Sequence, residues 1–299
     1  MRAALALAAL LDVAFGEPPA AEHPVVWMGR YISWAERLSL RPCKPQTQFR
    51  AGLLTLIGGV AGSAVGSMLA MRGLRRAPWP LQLLAHAALL KCTFSLRALL
   101  THARAVEHAP DFAAARKAVQ LLVSRDTSGL DAAHVASAAI ESLAESTVDS
   151  ILAPLFWYAL FGLPGAMAYR FVNTADAMVG YRGKYEYFGK PAARLDDALN
   201  WLPARLSAPL LTAAAALTGF DARCAWQTAR AQHTRTASPN AGWPMAAAAG
   251  ALGVWLEKPD LYRLGTGREP SEPDIIRARR LVSAAAALSF ALALLRGRH

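Results

Sequence analysis

From Ala51 to Met71 the chain reads Ala-Gly-Leu-Leu-Thr-Leu-Ile-Gly-Gly-Val-Ala-Gly-Ser-Ala-Val-Gly-Ser-Met-Leu-Ala-Met, 21 residues without a charge. At a helical rise of about 1.5 Å per residue, such a run covers the roughly 30 Å of a bilayer's hydrocarbon core. It therefore predicts a membrane-spanning helix. Gly58, Gly62 and Gly66 recur every four residues within it, a spacing that lets a neighbouring helix approach closely. Composition agrees: 54% of the 299 residues are hydrophobic and 18% charged, which is more apolar than an ordinary soluble domain.

Outward from this span the apolar segments are interrupted. Leu81–Leu100 contains Lys91 and Arg97, Ile151–Tyr169 contains Pro154 and Pro164, and Trp201–Phe220 contains Arg205. Leu281–Leu295 is only 15 residues long. The expected fold class is all-α: a polytopic integral membrane protein with four or five membrane helices, several of them broken. Broken helices are tolerated at membrane depth where they line a cavity or pack on protein, which favours a site over a plain anchor. Met1–Gly16 looks like a secretion signal, but Asp12 interrupts its apolar run and Gly16-Glu-Pro-Pro19 follows without a cleavage motif. It is read as a retained first helix. No repeat, low-complexity tract or long linker divides the chain, so residues 1–299 read as one domain.

The net charge of +11 and a pI near 10 call for an anionic partner, either lipid headgroups or a negatively charged substrate. Nucleic acid is not expected, because the basic residues are scattered over several loops and no binding module is visible. Arg30, Arg37, Arg41, Lys44 and Arg50 precede the first span and Arg72, Arg75 and Arg76 follow it, so charge gives little vote on orientation. Cys43, Cys92 and Cys224 lie too far apart in sequence to suggest a zinc or disulfide framework.

Glu141-Ser-Leu-Ala-Glu145-Ser-Thr-Val-Asp149 carries three carboxylates at four-residue spacing. At roughly 100° per residue they fall within about 80° on one helical face. His134 joins that face, while Ile140, Leu143, Ala144 and Ile151 take the other. Carboxylates beside apolar surface are costly unless they meet a metal, a cation or water; a solvated surface face is the alternative. Ser128-Gly-Leu-Asp131 has capping-box spacing, so a helix is expected to begin there and run to about Ala153, where Pro154 ends or kinks it. Asp131 is then a cap only.

Beyond Pro164, Arg170, Asn173 and Thr174 share a helical face, Asp176 follows, and Gly180 supplies a stop. The loop Gly180-Tyr-Arg-Gly-Lys-Tyr-Glu-Tyr-Phe-Gly-Lys190 interleaves Tyr181, Tyr185, Tyr187 and Phe188 with Arg182, Lys184 and Lys190. Rings and cations together suit a flat or phosphorylated ligand; an interfacial aromatic belt accounts for them equally. Pro191 then opens a helix with Arg194, Asp197 and Asn200 along one side and Asp196 adjacent, where a local Arg194–Asp197 ion pair is the plain alternative.

Gly16-Glu-Pro-Pro19, His23-Pro-Val-Val-Trp-Met-Gly-Arg30, Glu141-Ser-Leu-Ala-Glu145, Ala153-Pro-Leu-Phe-Trp157, the stretch Tyr169–Tyr181, Ala193-Arg-Leu-Asp-Asp197 through Asn200 to Pro203-Ala-Arg205, and Ser238-Pro-Asn-Ala-Gly-Trp243 occur in this order. As an ordered set over nearly the whole chain they resemble the CobD/CbiB family, the membrane adenosylcobinamide-phosphate synthases of cobalamin biosynthesis. The resemblance implies a multi-pass ligase of the bacterial inner membrane. Such an enzyme joins a carboxylate of adenosylcobyric acid, a corrinoid substrate, to the amine of aminopropanol phosphate or ethanolamine phosphate, and consumes ATP as co-substrate.

A carboxylate is a poor acyl donor, and activating it as an acyl phosphate calls for a divalent metal and cations on the transferring phosphoryl group. The expected catalytic set is Glu141, Glu145, Asp149, Arg170, Asn173 and Asp176, with Mg²⁺ on the three carboxylates of the stripe, or one of these taking the amine's proton. Arg170, Arg182 and Lys184 fit phosphate or oxyanion partners. Substrate contacts are expected from Asp12, Glu17, His23, Trp27, Arg30, Arg125 and Asp126 in the first half of the chain. Tyr181, Arg182, Lys184, Tyr185, Arg194, Asp196, Asp197, Asn200, Arg205, Ser238 and Asn240 complete that set.

Two positions depart from the family form, in which Asn follows the second glutamate and Gly the aspartate; here they are Ser146 and Ser150. Neither Gly-x-x-x-x-Gly-Lys-[Ser/Thr] nor Gly-x-Gly-x-x-Gly occurs, so a nucleotide site must be of another kind. Ser238–Pro244, ahead of an alanine-rich helix, suits a phosphate on backbone amides or an ordinary turn. Broken helices with buried ionisable groups also describe a transporter of an anionic ligand, although no internal duplication is visible. A non-enzymatic membrane sensor is a third possibility.

Overall fold

A computed structural model of the chain describes residues 1–39, 44–123 and 125–296. Arg41 and Cys43 lie outside the described residues. In chain order the helices are α1 Arg2–Phe15, α2 Pro24–Ser39, α3 Pro45–Gly73, α4 Trp79–Lys91, α5 Leu96–Glu107, α6 Phe112–Gln120, α7 Ala132–Thr147, α8 Ala153–Val179, α9 Lys190–Thr218, α10 Ala222–Gln232, α11 Gly242–Leu252 and α12 Glu272–Arg296. One small hairpin, β1 Leu256–Lys258 against β2 Tyr262–Leu264, is the only sheet among the described residues. The fold is all-α apart from that hairpin.

Among the described residues three helical stretches are long and apolar enough to cross a membrane: Pro45–Arg76, Ala132–Val179 and Glu272–Arg296. The bent pair Trp79–Lys91 and Leu96–Glu107 makes a fourth if it counts as one span. The segment Leu281–Leu295, short by its apolar run, gains its length because the charged residues before it continue the helix back to Glu272. Trp201–Phe220 falls largely within α9, which holds Pro203 and Pro209 and is not among the spans.

The helix expected from Ser128 begins three residues later. Asp131 is its cap and accepts from the His134 amide at 2.8 Å, while Ser128 bonds to Asp126 in the preceding turn. Its end follows the expected logic. Pro154 cannot donate to the carbonyl of Ser150, and the chain passes from Thr147 through a π turn over Val148–Leu152 into α8. A second break falls at Gly162, whose φ of 66° is left-handed, two residues before Pro164. Helix α8 stops at Val179, and a Cβ on Gly180 would lie 2.0 Å from Oδ1 of Asp176.

The described residues divide into two compact units, those within 1–95, 153–199 and 293–296 forming one and those within 96–152 and 200–292 the other. In the first, α1 packs on α4, and α3 packs on α8 with α2 against both. The glycines that permit this differ from those expected. A Cβ on Gly59 would stand 1.8 Å from Cζ of Phe171, and one on Gly52 would stand 1.9 Å from the carbonyl oxygen of Phe188. Gly58 meets only the Tyr31 hydroxyl, while Gly62 and Gly66 face open space and line an apolar cavity of about 470 Å³ with Trp27, Tyr31 and Met167. The contact stripe on α3 thus has the i, i+7 spacing of Gly52 and Gly59, because α8 and the segment before α9 meet that side.

In the second unit α10 packs closely on α11, helped by Gly250, where a Cβ would fall 2.4 Å from the Cys224 carbonyl oxygen. Helix α11 is small-residue and buried on all sides. Helix α7 lies against α5, α6, α11 and β1. Asp274, fully buried at the start of α12, is held by Arg268 at 2.6 and 2.7 Å and by Arg277 at 2.8 Å. A second buried pair joins Arg279 to Glu107.

Candidate functional site

In the first unit, opposite charges from two apolar helices meet. Nζ of Lys91, at the end of α4, stands 3.2 Å from Oδ1 of Asp12 on α1 and 2.7 Å from Oε2 of Glu17, and both Lys91 and Asp12 are buried. Opposite charges taken out of water persist when each supplies the other's partner. Ser95 donates to the other oxygen of Glu17. His23 closes the cluster: its Nδ1 accepts from the Val25 amide at 3.1 Å, so the proton sits on Nε2, which donates to Glu17 at 2.9 Å. With Pro24 as the first residue of α2, His23 also caps that helix. Burial alone would raise the Glu17 carboxyl, but hydrogen bonds from His23, Lys91 and Ser95, with the Lys91 charge, outweigh it and hold the group down at about 2.

Farther along the same unit, Asn173 donates to Oδ1 of Asp196 at 3.4 Å, bringing α8 to α9. Asp197, beside Asp196, has its carboxyl raised by burial. Thr174 turns its hydroxyl back to the Arg170 carbonyl. The aromatic and basic loop divides in three. Phe188 is core. Lys184 and Tyr185 both donate to Oε1 of Glu36, at 2.8 and 2.9 Å, an attachment that lowers the Glu36 carboxyl and raises the Lys184 ammonium. Tyr181 and Arg182 are exposed, and Tyr187 and Lys190 line a cavity with Arg194. Trp27 donates to the Ala21 carbonyl and Arg30 is exposed on α2.

The second unit holds the acidic stripe, and its three carboxylates do not share one environment. Glu141 is buried, Glu145 exposed and Asp149 half-buried. Three donors converge on Glu141: Ser137 at 2.7 Å and Arg125 at 3.3 Å on Oε1, and Tyr262 at 2.6 Å on Oε2. Ser137 in turn accepts from the Glu257 amide at 2.7 Å, which ties the hairpin to α7. Burial, and then the charges of Glu141 and Glu145, raise the Tyr262 phenol, so Tyr262 acts as a proton-bearing donor. Asp149 lies in the π turn, where the i→i+5 pattern carries it out of the four-residue register.

The expected three-carboxylate magnesium site is therefore corrected. Among the described residues no group of three or more His, Cys, Asp or Glu side chains could hold a metal ion. Glu141 already accepts from a guanidinium, a serine and a tyrosine, and the π turn separates Asp149.

Elsewhere in this unit Asp126 is occupied by its turn, accepting from the amide and hydroxyl of Ser128. Arg205 stacks over Trp201 with its Cζ 4.0 Å from the ring centroid. Ser238 accepts from the amides of Asn240 and Ala241, an ordinary turn before α11, and Asn240 is buried. Asn200 is buried as well. Reading the sequence missed Tyr262, Ser137, Lys91, Ser95 and Glu36. For Lys91 a signal existed, since Asp12 interrupts the apolar run of α1 and Lys91, of opposite charge, ends that of α4. No local pattern announces Tyr262.

The chain matches the family described as CobD/Cbib protein over residues 5–290. It is 44% identical over 273 residues to the cobalamin biosynthesis protein CobD of Dehalococcoides mccartyi, which spans 90% of this chain and 88% of that relative. It is 45% identical over 277 residues to the probable cobalamin biosynthesis protein CobD of Thermococcus kodakarensis, covering 92% and 88%. With the cobalamin biosynthesis protein CobD of Klebsiella pneumoniae it shares 40% identity over 300 residues, covering 95% and 93%. No solved structure matches it. A match of this extent, across both units and every charged cluster described above, places the chain in the CobD/CbiB family.

Proposed function

We propose that this protein acts in cobalamin biosynthesis as an amide-forming ligase. It joins the amine of aminopropanol phosphate or ethanolamine phosphate to a carboxylate of adenosylcobyric acid, with ATP consumed, at the cytoplasmic membrane of a bacterium. Family membership supports the pathway. The observation that carries the chemistry is the glutamate pair on α7, Glu141 fixed by Tyr262, Ser137 and Arg125 with the exposed Glu145 one turn beyond.

Amide formation needs an acyl group made reactive and an amine relieved of its proton. Phosphorylation of the corrinoid carboxylate by ATP gives an acyl phosphate and ADP; attack by the neutral amine then gives the amide and inorganic phosphate. Glu145, exposed and borne on a rigid helix, suits the proton acceptor for the ammonium. Glu141, held by three donors, suits a positioning role that keeps Tyr262 and Arg125 in place. Magnesium would enter on the nucleotide phosphates, since Mg²⁺ keeps several waters and is usually bound through only one or two carboxylates.

The test is direct. Protein purified in detergent is incubated with adenosylcobyric acid, aminopropanol phosphate and Mg-ATP, and the products are read by mass spectrometry. The amide should form only when all three are present. ATP breakdown independent of both corrinoid and amine, with no amide, rejects the reading.

A further inference from the structure

At the start of α3 a cavity of about 500 Å³ is lined by Gln46, Phe49, Arg50, Tyr187, Lys190 and Arg194. Three of these side chains are cations and none is an acid. Glu186 forms a loose pair with Lys190 at 3.8 Å. Two 29-residue helices begin here, α3 at Pro45 and α9 at Lys190, and neither has an acidic residue in its first turn. Amide groups at a helix start carry positive potential, which acids relieve and cations worsen. Lys190 lies in the first turn of α9, where that potential is strongest, and Arg50 and Arg194 lie just beyond the first turns of α3 and α9.

The two helix starts are held together by packing. A Cβ on Gly52 would stand 1.9 Å from the Phe188 carbonyl oxygen, so α3 touches backbone two residues before Lys190, and Phe188 itself is core. That contact fixes the spacing of the backbone segments that carry Arg50, Lys190 and Arg194.

We propose that this cavity binds a phosphoanion, the chemistry shared by a free phosphorylated compound and an anionic lipid headgroup. Arg50 and Arg194 would grip the phosphate oxygens in charge-assisted bonds, Lys190 would add a point charge, and the rings of Phe49 and Tyr187 would wall the pocket. Its position at one end of the Pro45–Arg76 span puts it at headgroup depth, open to either source. The site stands independently of the ligase reading, because binding alone reports it.

The experiment uses the full chain in neutral detergent and two probes. Inorganic pyrophosphate is titrated calorimetrically, and native mass spectrometry follows retention of phosphatidylglycerol against phosphatidylcholine. The Arg50→Ala/Arg194→Ala variant should weaken one or both anionic probes by about tenfold or more. Loss of pyrophosphate binding identifies a free phosphoanion as ligand; a change confined to phosphatidylglycerol identifies a headgroup. Lys190→Gln, and Gly52→Ala, which keeps every charge but forces the helix starts apart, should weaken the same probe. If the folded double variant and Lys190→Gln, checked by circular dichroism, both bind the two probes as the native chain does, the proposal is overturned.

Discussion

Tyr262 donates its phenolic hydrogen to Oε2 of Glu141 at 2.6 Å, across 121 residues of chain. The bond makes the three-residue strand β2 a support for the glutamate on α7. Tyr262→Phe keeps the ring and deletes the donor. Leaving a buried acceptor short of a partner costs about 1–3 kcal/mol. The variant should melt earlier in detergent and turn over more slowly per folded molecule, whereas an unchanged melting temperature would show that Glu141 does not depend on this bond.

Glu145→Gln separates charge from fold. The side chain is exposed, so the variant should insert and melt like the native protein. Removing a general base slows a reaction by about two to four orders of magnitude. A turnover rate within a factor of about three of the native one, far outside that range, would exclude Glu145 as the proton acceptor.

The Lys91 cluster predicts an acid limit on stability. Glu17 has its folded value depressed from 4.5 to about 2, so the stability it contributes is complete above 4.5 and disappears as pH falls from there to about 2. Glu17→Gln should flatten the melting temperature over that interval. Lys91→Met leaves Asp12 and Glu17 without their cation, and breaking a buried pair this way costs about 3–5 kcal/mol. Asp12→Asn added to Lys91→Met should recover part of the loss; simple additivity of the two substitutions would show that the pair is not coupled.

The corrected glycine stripe on α3 gives a matched contrast. Gly59→Ala drives a methyl group into Phe171 and should destabilise by about 1–3 kcal/mol, while Gly66→Ala enters open space and should be close to neutral. Thermal melting in one detergent compares the two. Equal effects would contradict the assignment of Gly59 to the α8 contact.

Features that depend on neighbouring residues were readable from the sequence. The uncharged Ala51–Met71 run lies within α3, the prolines of Ile151–Tyr169 mark a π turn and a left-handed glycine, and Asp131 is a cap as expected. Features that depend on distant residues were not. Four-residue spacing put Glu141, Glu145 and Asp149 on one stripe, but burial and the π turn give them three environments, and no helical-wheel argument contains the hairpin that brings Tyr262. The glycine contacts failed for a related reason: spacing shows which residues share a face, and only the packing of α8 shows which face is used.

Oxygen transfer from the corrinoid carboxylate to phosphate distinguishes an acyl phosphate route from one that bypasses it. Adenosylcobyric acid carrying ¹⁸O at both oxygens of its reacting carboxylate is incubated with the purified protein, aminopropanol phosphate and Mg-ATP, and the amide and inorganic phosphate are both analysed by mass spectrometry. An acyl phosphate route predicts one labelled oxygen in phosphate for each amide formed. Unlabelled phosphate, or none formed with the amide, would contradict it.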